Sequence, residues 1–442
     1  MMGSYTGQIT QMAKEKGITR LHFHIEDSEN QSISLFNGEV QRVGASRETL
    51  MLVEGEYGGF MGSAYVELPP GGQPYGPDEA TVSGMIENII QTASLNREPF
   101  VAKPIHDLSP PAETSRPFHG DRLAAEMLAA EKAARQADAV EAFRMGISRH
   151  VKAVTLANCE GKSMTDTSSH YDLHMTVMTK DSEKAQTAYF HKLYKDEAPD
   201  FSETAAATAL DASRMLKSSP YQSGQYKMVI RNDAFGELFG AFLPAFYGER
   251  CQNGMSFLKG KAGEVIGSPA FSAYEDPAGV RRFDDEGTLI SRKPLVEKGV
   301  LADYFHNTGT AAKENRKSNG NGFRQNCNEG ISSAYTNVVV AGGDSTLEGL
   351  LAAMGEGLLI TACDGVFAGV SPVSGDFSVI SKGYVVRAGR PAEPISGITI
   401  GGSLYDILAN LEETANDHMT VNSNTGVVTA PSVRLSGVLV TG

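Results

Sequence analysis

Residues 32–64, SISLFNGEVQRVGASRETLMLVEGEYGGFMGSA, have the pattern of an antiparallel β-meander. Runs of strand-forming residues are separated by glycine-containing segments, as expected for strands that reverse direction tightly. The FNGE segment contains an Asn-Gly pair, which favours a two-residue hairpin turn because both residues tolerate positive φ. The glycines of GEYGG predict a second bend. This part of the chain is therefore predicted to form antiparallel sheet.

The remainder of the chain predicts an α+β fold with two domains. Before residue 226, helical segments alternate with two meanders, whereas the later residues are rich in glycine and hairpin turns. We predict an N-terminal mixed α/β meander domain over 1–225 and a C-terminal, largely antiparallel β-sheet domain over 226–442. Predicted helices cover 5–16, 78–96, 121–137, 203–219, 233–247, 309–316 and 403–415, and predicted strands include 20–26, 32–38, 39–47, 49–55, 140–161 and 185–195.

Composition narrows the classes of function. The 442-residue chain has a net charge of −14 and no dense Lys/Arg run, so direct nucleic-acid binding is not expected. Cys159, Cys251, Cys327 and Cys363 are widely separated and form no Cys-x-x-Cys motif, which argues against a disulfide framework. The N-terminal segment has helical periodicity rather than a signal-peptide pattern, and no apolar run is long enough to cross a membrane. We expect a cytoplasmic protein with no membrane association.

The HYDLH segment, residues 170–174, has two histidines four positions apart, a spacing that binds zinc when it lies on a helix. The surrounding residues alternate between polar and apolar with a period of two, which predicts a half-exposed strand. On a strand, His170 and His174 would share a face but lie roughly 13 Å apart. Because that distance is too long to chelate one ion, we interpret them as surface histidines.

The segment NDAFGELFGAFLPAF, residues 232–246, predicts a buried helix. Asn232 or Asp233 can cap its N-terminus. Pro244 should kink or end it, because proline cannot donate a backbone hydrogen bond.

Several segments resemble, in the same order, the TldD/PmbA family, long called modulators of DNA gyrase. The resemblance covers nearly the whole chain. The family implies a two-domain fold, with an α+β N-terminal domain and a largely antiparallel C-terminal sheet domain, and it implies dimers. The matching segments are 32–64, 232–269, 281–313, 374–402, 416–419 and 431–438.

The family has two branches that differ at the helix over 232–246. In the TldD branch this helix carries His-Glu-x-x-x-His, and a cysteine near the C-terminus completes a zinc site. Aligned in this way, Glu237 matches the glutamate, but Gly236 and Ala241 stand at the histidine positions, and no cysteine follows residue 419. Zinc needs three protein donors, so the resemblance implies the PmbA branch, also called TldE, with no metal and no other cofactor.

Two turns resemble family segments near the substrate cleft. RRFDDEG, residues 281–287, combines charges with turn-forming residues, and SGDFS, residues 374–378, is a second such turn. Their residues are candidates for peptide binding, with a purely structural turn as the alternative. The candidates are Arg282, Asp284, Asp285, Glu286, Gly375 and Asp376.

The resemblance implies a non-zinc-binding subunit of a TldD/TldE-type peptidase complex that helps to process unfolded peptides. Its expected partner is a TldD-type zinc subunit, and the chain alone should be inactive. Two alternatives remain. One is an autonomous metallopeptidase with an unrecognised site, for example a metal held by His306, Asp284 and Glu286. The other is a homodimeric regulatory protein that binds extended peptides along a sheet edge.

Overall fold

The computed structural model describes residues 2–68, 77–109, 116–423 and 426–442. The N-terminal elements are α1 (Met2–Glu15), β1 (Leu21–Phe36), β2 (Glu39–Tyr57), β3 (Phe60–Leu68), α2 (Glu79–Asn96), α3 (Gly120–Ala134), β4 (Val140–Asn158), β5 (Ser163–Lys180), β6 (Ala185–Tyr194) and α4 (Phe201–Met215). The strands form one antiparallel sheet in the order β3-β2-β1-β4-β5-β6. Helices α2, α3 and α4 pack against it.

The predicted Asn-Gly turn is confirmed. Asn37 and Gly38 have φ values of 46° and 83° and connect β1 to β2, with Phe36 paired to Glu39. Two consecutive residues with positive φ define the turn type whose twist matches that of the flanking strands. The meander therefore begins as the local sequence specifies.

The strands are longer than predicted. Segments 20–26 and 32–38 form one strand, β1, and segments 39–47 and 49–55 form β2. The polar residues between the segments remain paired, because β1 is hydrogen-bonded to β2 on one side and to the equally long β4 on the other. The backbone N–H and C=O groups of this polar segment are therefore hydrogen-bonded to neighbouring strands, although the segment's side chains suggest a solvent-exposed loop.

The C-terminal part contains many short elements. They are β7 (Gly224–Ile230), α5 (Asn232–Phe242), a 3₁₀ turn (Leu243–Phe246), α6 (Gly248–Gln252), β8 (Ala273–Glu275), β9 (Lys293–Glu297), β10 (Val300–Leu301), α7 (Thr308–Lys313), β11 (Gly322–Phe323), β12 (Ser332–Ser333), β13 (Asn337–Val340), α8 (Leu347–Met354), β14 (Gly357–Asp364), α9 (Val366–Gly369), β15 (Asp376–Arg387), β16 (Arg390–Ser403), α10 (Leu404–Ala409), β17 (Leu411–Thr414), β18 (Met419–Asn422), β19 (Val427–Ala430) and β20 (Val433–Thr441).

Two six-stranded sheets make up most of this part. One has the order β16-β15-β14-β7-β20-β17, the other β10-β9-β8-β13-β19-β18. Only two pairings among the described strands are parallel, β7 with β14 and β13 with β19. Helix α5 packs against strands of both sheets. The predicted α+β class with largely antiparallel sheets is confirmed.

Several predicted helices end earlier than expected, and for two of them the structure gives the reason. Helix α5 ends at Phe242 and continues as the 3₁₀ turn that contains Pro244, consistent with the missing proline N–H. The segment 403–415 forms only the short α10, because the residues from Leu411 onward pair with β20 as β17. Tertiary pairing overrides the local helical pattern there.

The predicted division between 225 and 226 falls inside β7, and the boundary stays a prediction. Among the described residues, no helix is long and apolar enough to cross a membrane.

The contact between β3 and α2 generates a stability prediction. A Cβ atom on Gly62 would lie 1.8 Å from the carbonyl oxygen of Ile89 in α2, so Gly62→Ala must displace the helix. We expect a loss of about 1–3 kcal/mol in the free energy of unfolding, measured by urea denaturation. Gly84→Ala is the matched control, because Gly84 lies inside α2 with no atom near its Cβ position; it should gain about 0.5–1 kcal/mol. Equal effects of the two variants would contradict the assigned packing.

Candidate functional site

Helix α5 is almost completely buried between the two C-terminal sheets. A Cβ atom on Gly236 would lie 2.9 Å from Cγ2 of Val421 in β18, and one on Gly240 would lie 2.7 Å from Oγ of Ser423. The rings of Phe235 and Phe239 stack on one another, and both side chains belong to the hydrophobic core of the C-terminal part. The helix therefore approaches the sheet closely through residues that lack a side chain.

The N-terminus of α5 differs slightly from the prediction. The helix begins at Asn232, so Arg231 occupies the N-cap position and makes no side-chain cap bond. Asp233, in the first turn, accepts two hydrogen bonds from the Arg231 guanidinium, each 2.7 Å long. The negative charge that suits a helix N-terminus is therefore supplied by Asp233.

Glu237 lies one turn further along, in a cavity of about 230 Å³ that we call the helix cavity. The cavity is also lined by His191, Asp364 and Lys382. Glu237 accepts no hydrogen bond from any residue that the structure describes. Burial, with a smaller contribution from the Asp233 carboxylate, raises the pKa of Glu237 from its ordinary 4.5 to about 7.

The residues around α5 do not fit a zinc ion. Gly236 and Ala241 offer no donor atom, and Glu237 alone cannot hold the metal. Cys363 lines the helix cavity, but burial raises its thiol pKa to about 12, which disfavours the thiolate that binds zinc. Over the described ranges, no group of three or more His, Cys, Asp or Glu side chains could hold a metal ion.

The two histidines of HYDLH lie on strand β5, as predicted. The ring of His170 stacks on that of His150, with centroids 5.2 Å apart. The ring of His174 lies against Gly146, where a Cβ atom would be only 2.2 Å from it. Each histidine therefore contacts a different residue of β4.

The acidic turn after residue 281 is built into the protein interior. Asp284 accepts hydrogen bonds from the backbone N–H groups of Glu286, Thr288 and Gly322, at 3.0, 2.8 and 2.9 Å. Burial raises its pKa to about 7. Glu286 accepts from the Thr308 N–H at 2.6 Å, and burial raises its pKa also. These carboxyl groups organise loops of the C-terminal part.

Asp285 and Arg282 connect this turn to the first sheet. Burial opposes ionisation of Asp285, but Arg281 and His24 of β1 hold its pKa below the ordinary value. Arg282 donates to both carboxylate oxygens of Asp166 in β5, at 2.7 Å from its backbone N–H and 2.8 Å from Nε. It also donates to two backbone carbonyls of the N-terminal part. Their role in peptide binding stays a prediction, and these contacts join the turn to the first sheet.

The second predicted turn is also structural in its contacts. Gly375 has a φ of 83°, and its N–H donates to the Ser371 carbonyl at 2.8 Å. Asp376 is exposed at the start of β15. The set His306, Asp284 and Glu286, considered for an independent metal site, does not form a metal-binding group among the described residues.

A second cavity lies where the N-terminal sheet meets the C-terminal part. This junction cavity has a volume of about 770 Å³ and was not predicted. Its walls come from the interior of β4 and β5, the end of β6, the loops around 280 and 325, and strand β18. The residues with basic side chains that line it are Lys152, His170, Lys195, Arg281 and Arg324.

The fold and site define an α+β protein with largely antiparallel sheets, whose described residues around α5 do not supply the donor set of a zinc centre. Two family profiles match it, one described as the PmbA/TldA metallopeptidase central domain over residues 114–218, the other as the PmbA/TldA metallopeptidase C-terminal domain over 223–442. The chain belongs to the PmbA/TldD family. The predicted resemblance is therefore confirmed.

Relatives span most of the chain. Metalloprotease PmbA of Escherichia coli O157:H7 is 28% identical over 343 residues, which are 75% of this chain and 72% of the relative. The Metalloprotease PmbA homolog of Haemophilus influenzae is 27% identical over 330 residues, which are 72% and 70% of the two chains. These names describe the relatives.

Solved structures share the fold. A Thermotoga maritima MSB8 protein described as a modulator of a DNA gyrase matches with a TM-score of 0.87 and 24% identity, over 100% of both chains. TldE from Thermococcus kodakarensis matches with a TM-score of 0.82 and 20% identity, over 98% of this chain and 99% of TldE. At these identities the likeness concerns the fold alone.

The raised pKa of Glu237 generates a prediction about pH. Between about pH 4.5 and 7 the unfolded chain releases this proton while the folded chain keeps it, so this group's contribution to stability falls as pH rises through that window. Glu237→Gln removes the group. We expect the variant to exceed the wild type by about 1–3 kcal/mol in the free energy of unfolding near pH 8, and to match it below about pH 4. Chemical denaturation across this pH range measures the difference.

Glu87→Gln, an exposed glutamate of α2, is the matched control and should give a difference near zero at each pH. A pH-independent difference for Glu237→Gln would show that the carboxyl group is not desolvated in the folded state.

The contacts of Arg282 generate a separate prediction. In Arg282→Met the buried Asp166 carboxylate loses its ion pair with the guanidinium group. It keeps the hydrogen bond from the backbone N–H of residue 282. We expect a loss of about 1–3 kcal/mol in the free energy of unfolding. Arg390→Met, at an exposed arginine with no ion pair among the described residues, should change it by less than about 0.5 kcal/mol. Unchanged stability of Arg282→Met together with weaker peptide binding would instead favour the predicted cleft role.

Proposed function

We propose that this chain is the metal-free subunit of a two-subunit peptidase of the PmbA/TldD family. A zinc-bearing subunit of the TldD type carries out hydrolysis, and this chain holds the unfolded peptide substrate. The observation that supports the proposal is the composition of α5. It retains Glu237 of the family's metal-binding helix, but has Gly236 and Ala241 at the two histidine positions.

The chemistry agrees with a division of labour. A zinc ion activates water only when protein donors hold it and leave one coordination position open. Without those donors, Glu237 has no metal-bound water to deprotonate and lies in a small cavity as a group with a raised pKa. The junction cavity, in contrast, is large enough for several side chains of an extended peptide.

The proposal places the complex in the cytoplasm. Cys159, Cys251, Cys327 and Cys363 are all described, and none forms a disulfide bond. Free, widely spaced thiols are typical of a reducing compartment.

Reconstitution tests the proposal. The purified chain should contain far less than one zinc per molecule by elemental analysis and should not cleave an unstructured fluorogenic peptide. Mixing it with a zinc-bearing family member from the same organism should produce chelator-sensitive hydrolysis and a heteromeric peak in size-exclusion chromatography. Chelator-sensitive cleavage by the chain alone would contradict the proposal and favour an autonomous metallopeptidase.

Corresponding substitutions in the two subunits provide the matched control. Replacing the glutamate of the partner's zinc helix by glutamine should abolish hydrolysis by the mixture, whereas Glu237→Gln in this chain should leave it intact. If this chain does not bind a zinc-bearing partner but binds the peptide as a homodimer, the regulatory peptide-binding alternative is correct instead.

A further inference from the structure

The charged side chains that line the junction cavity are opposite in sign to the net charge of the chain. The protein carries a net charge of −14. Yet the described residues that line this cavity include two lysines and two arginines and no aspartate or glutamate. A concave surface with one sign of charge concentrates the electrostatic field and favours ligands of the opposite sign.

Each of the two arginines is held in place by a buried carboxylate outside the cavity lining. Arg281 donates to Asp285 at 2.5 Å, and Arg324 donates to Glu54 of β2 at 2.5 Å. Both carboxylates are buried and neither lines the cavity. The guanidinium groups are therefore fixed before any ligand arrives, which lowers the entropic cost of binding.

Each guanidinium retains a buried donor. Nε of Arg281 and Nε of Arg324 have no hydrogen-bond acceptor among the described atoms. The Arg324 side chain is only 7% exposed. Because both Nε atoms are buried, a ligand carboxylate would approach the guanidinium groups through their remaining exposed atoms and their charge.

The two lysines differ in their contacts. Lys152 forms an ion pair with Glu26 at 2.9 Å, and Glu26 does not line the cavity. Lys195, half-buried just after β6, makes no hydrogen bond or ion pair with any residue that the structure describes. Lys195 is thus a cation available to a ligand without the loss of an existing contact.

The cavity wall also offers a strand edge. Among the described strands, β18 is the outermost of its sheet and is hydrogen-bonded there to β19. It also lies against β6 of the N-terminal sheet, and the Asn422 amide is within 3.5 Å of Asp172 and His191. Thr420 and Asn422 of β18 line the cavity. An extended peptide can add to such an edge through backbone hydrogen bonds, while its side chains enter neighbouring pockets.

We propose that the junction cavity selects acidic segments of unfolded peptides, with the peptide backbone along β18 and its Asp or Glu side chains directed to Lys195, Arg281 and Arg324. This inference rests on the proposed function, because it names the class of peptide that this chain would hold. It assigns specificity to this chain and hydrolysis to the zinc-bearing subunit.

Fluorescence polarisation with the full-length chain tests the inference. The probes are a labelled, unstructured Gly-Ser peptide that carries several glutamates, and the same peptide with glutamine at those positions. The glutamate peptide should bind about tenfold more tightly at low ionic strength, and added salt should reduce the difference. Equal affinity for the two peptides, or no binding of either, would overturn the inference.

Variants at Lys195 locate the effect. Lys195→Gln should weaken binding of the glutamate peptide by about three- to fivefold and leave that of the glutamine peptide unchanged. Lys227→Gln is the matched control, because Lys227 is exposed on β7 and outside the cavity. Since Lys195 has no internal partner, the melting temperature should not change. A Lys195→Gln protein with unchanged preference would exclude this cavity as the acidic-peptide site.

The outcomes separate the two claims. If reconstituted hydrolysis with the zinc-bearing subunit shows no preference for glutamate over glutamine peptides, the inference fails while the proposed function stands. If the chain alone prefers the glutamate peptide but no zinc-bearing subunit gains activity from it, the proposed function fails while the charge selectivity stands.

Discussion

The close approach of α5 to strands β18 and β19 is the constraint on which much of the C-terminal structure depends. The helix can lie this near the sheet only because Gly236 and Gly240 have no side chain facing Val421 and Ser423. Protein interiors are packed too densely to accept additional atoms without movement. A side chain at residue 236 would therefore have to displace the Val421 side chain or the helix. Gly236 thus permits the packing of this core and offers no donor atom to a metal ion.

A similar relation holds at the junction of the two parts of the chain. Burying a charge is tolerated only when the charge is paired or hydrogen-bonded, and this junction buries several carboxylates. Asp285 is paired with Arg281, Glu54 with Lys103 and Arg324, and Asp166 with Arg282. Two of these arginines, Arg281 and Arg324, also line the junction cavity, whereas their carboxylate partners do not. A structural requirement thus produces a surface with a defined charge.

The sequence predicted features that depend on neighbouring residues. The turn at Asn37 and Gly38, the strand that carries His170 and His174, and the break at Pro244 all follow from local geometry. It did not predict the union of short segments into long strands, because that depends on pairing with β4. Nor did it predict the junction cavity, whose cations are far apart in sequence and meet only in the folded chain. The pattern DDEG indicated a turn correctly, but not how deeply that turn is buried.

The two faces of strand β18 belong to different cavities. Successive side chains of a strand point to opposite faces. Val421 accordingly contacts the helix cavity and Gly236, while its neighbours Thr420 and Asn422 line the junction cavity. A substitution that removes a metal donor from α5 alters the packing on one face only. The other face keeps its strand edge and its basic surroundings, because the residues that form them belong to different elements. The packing of α5 and the lining of the junction cavity can therefore change independently of one another.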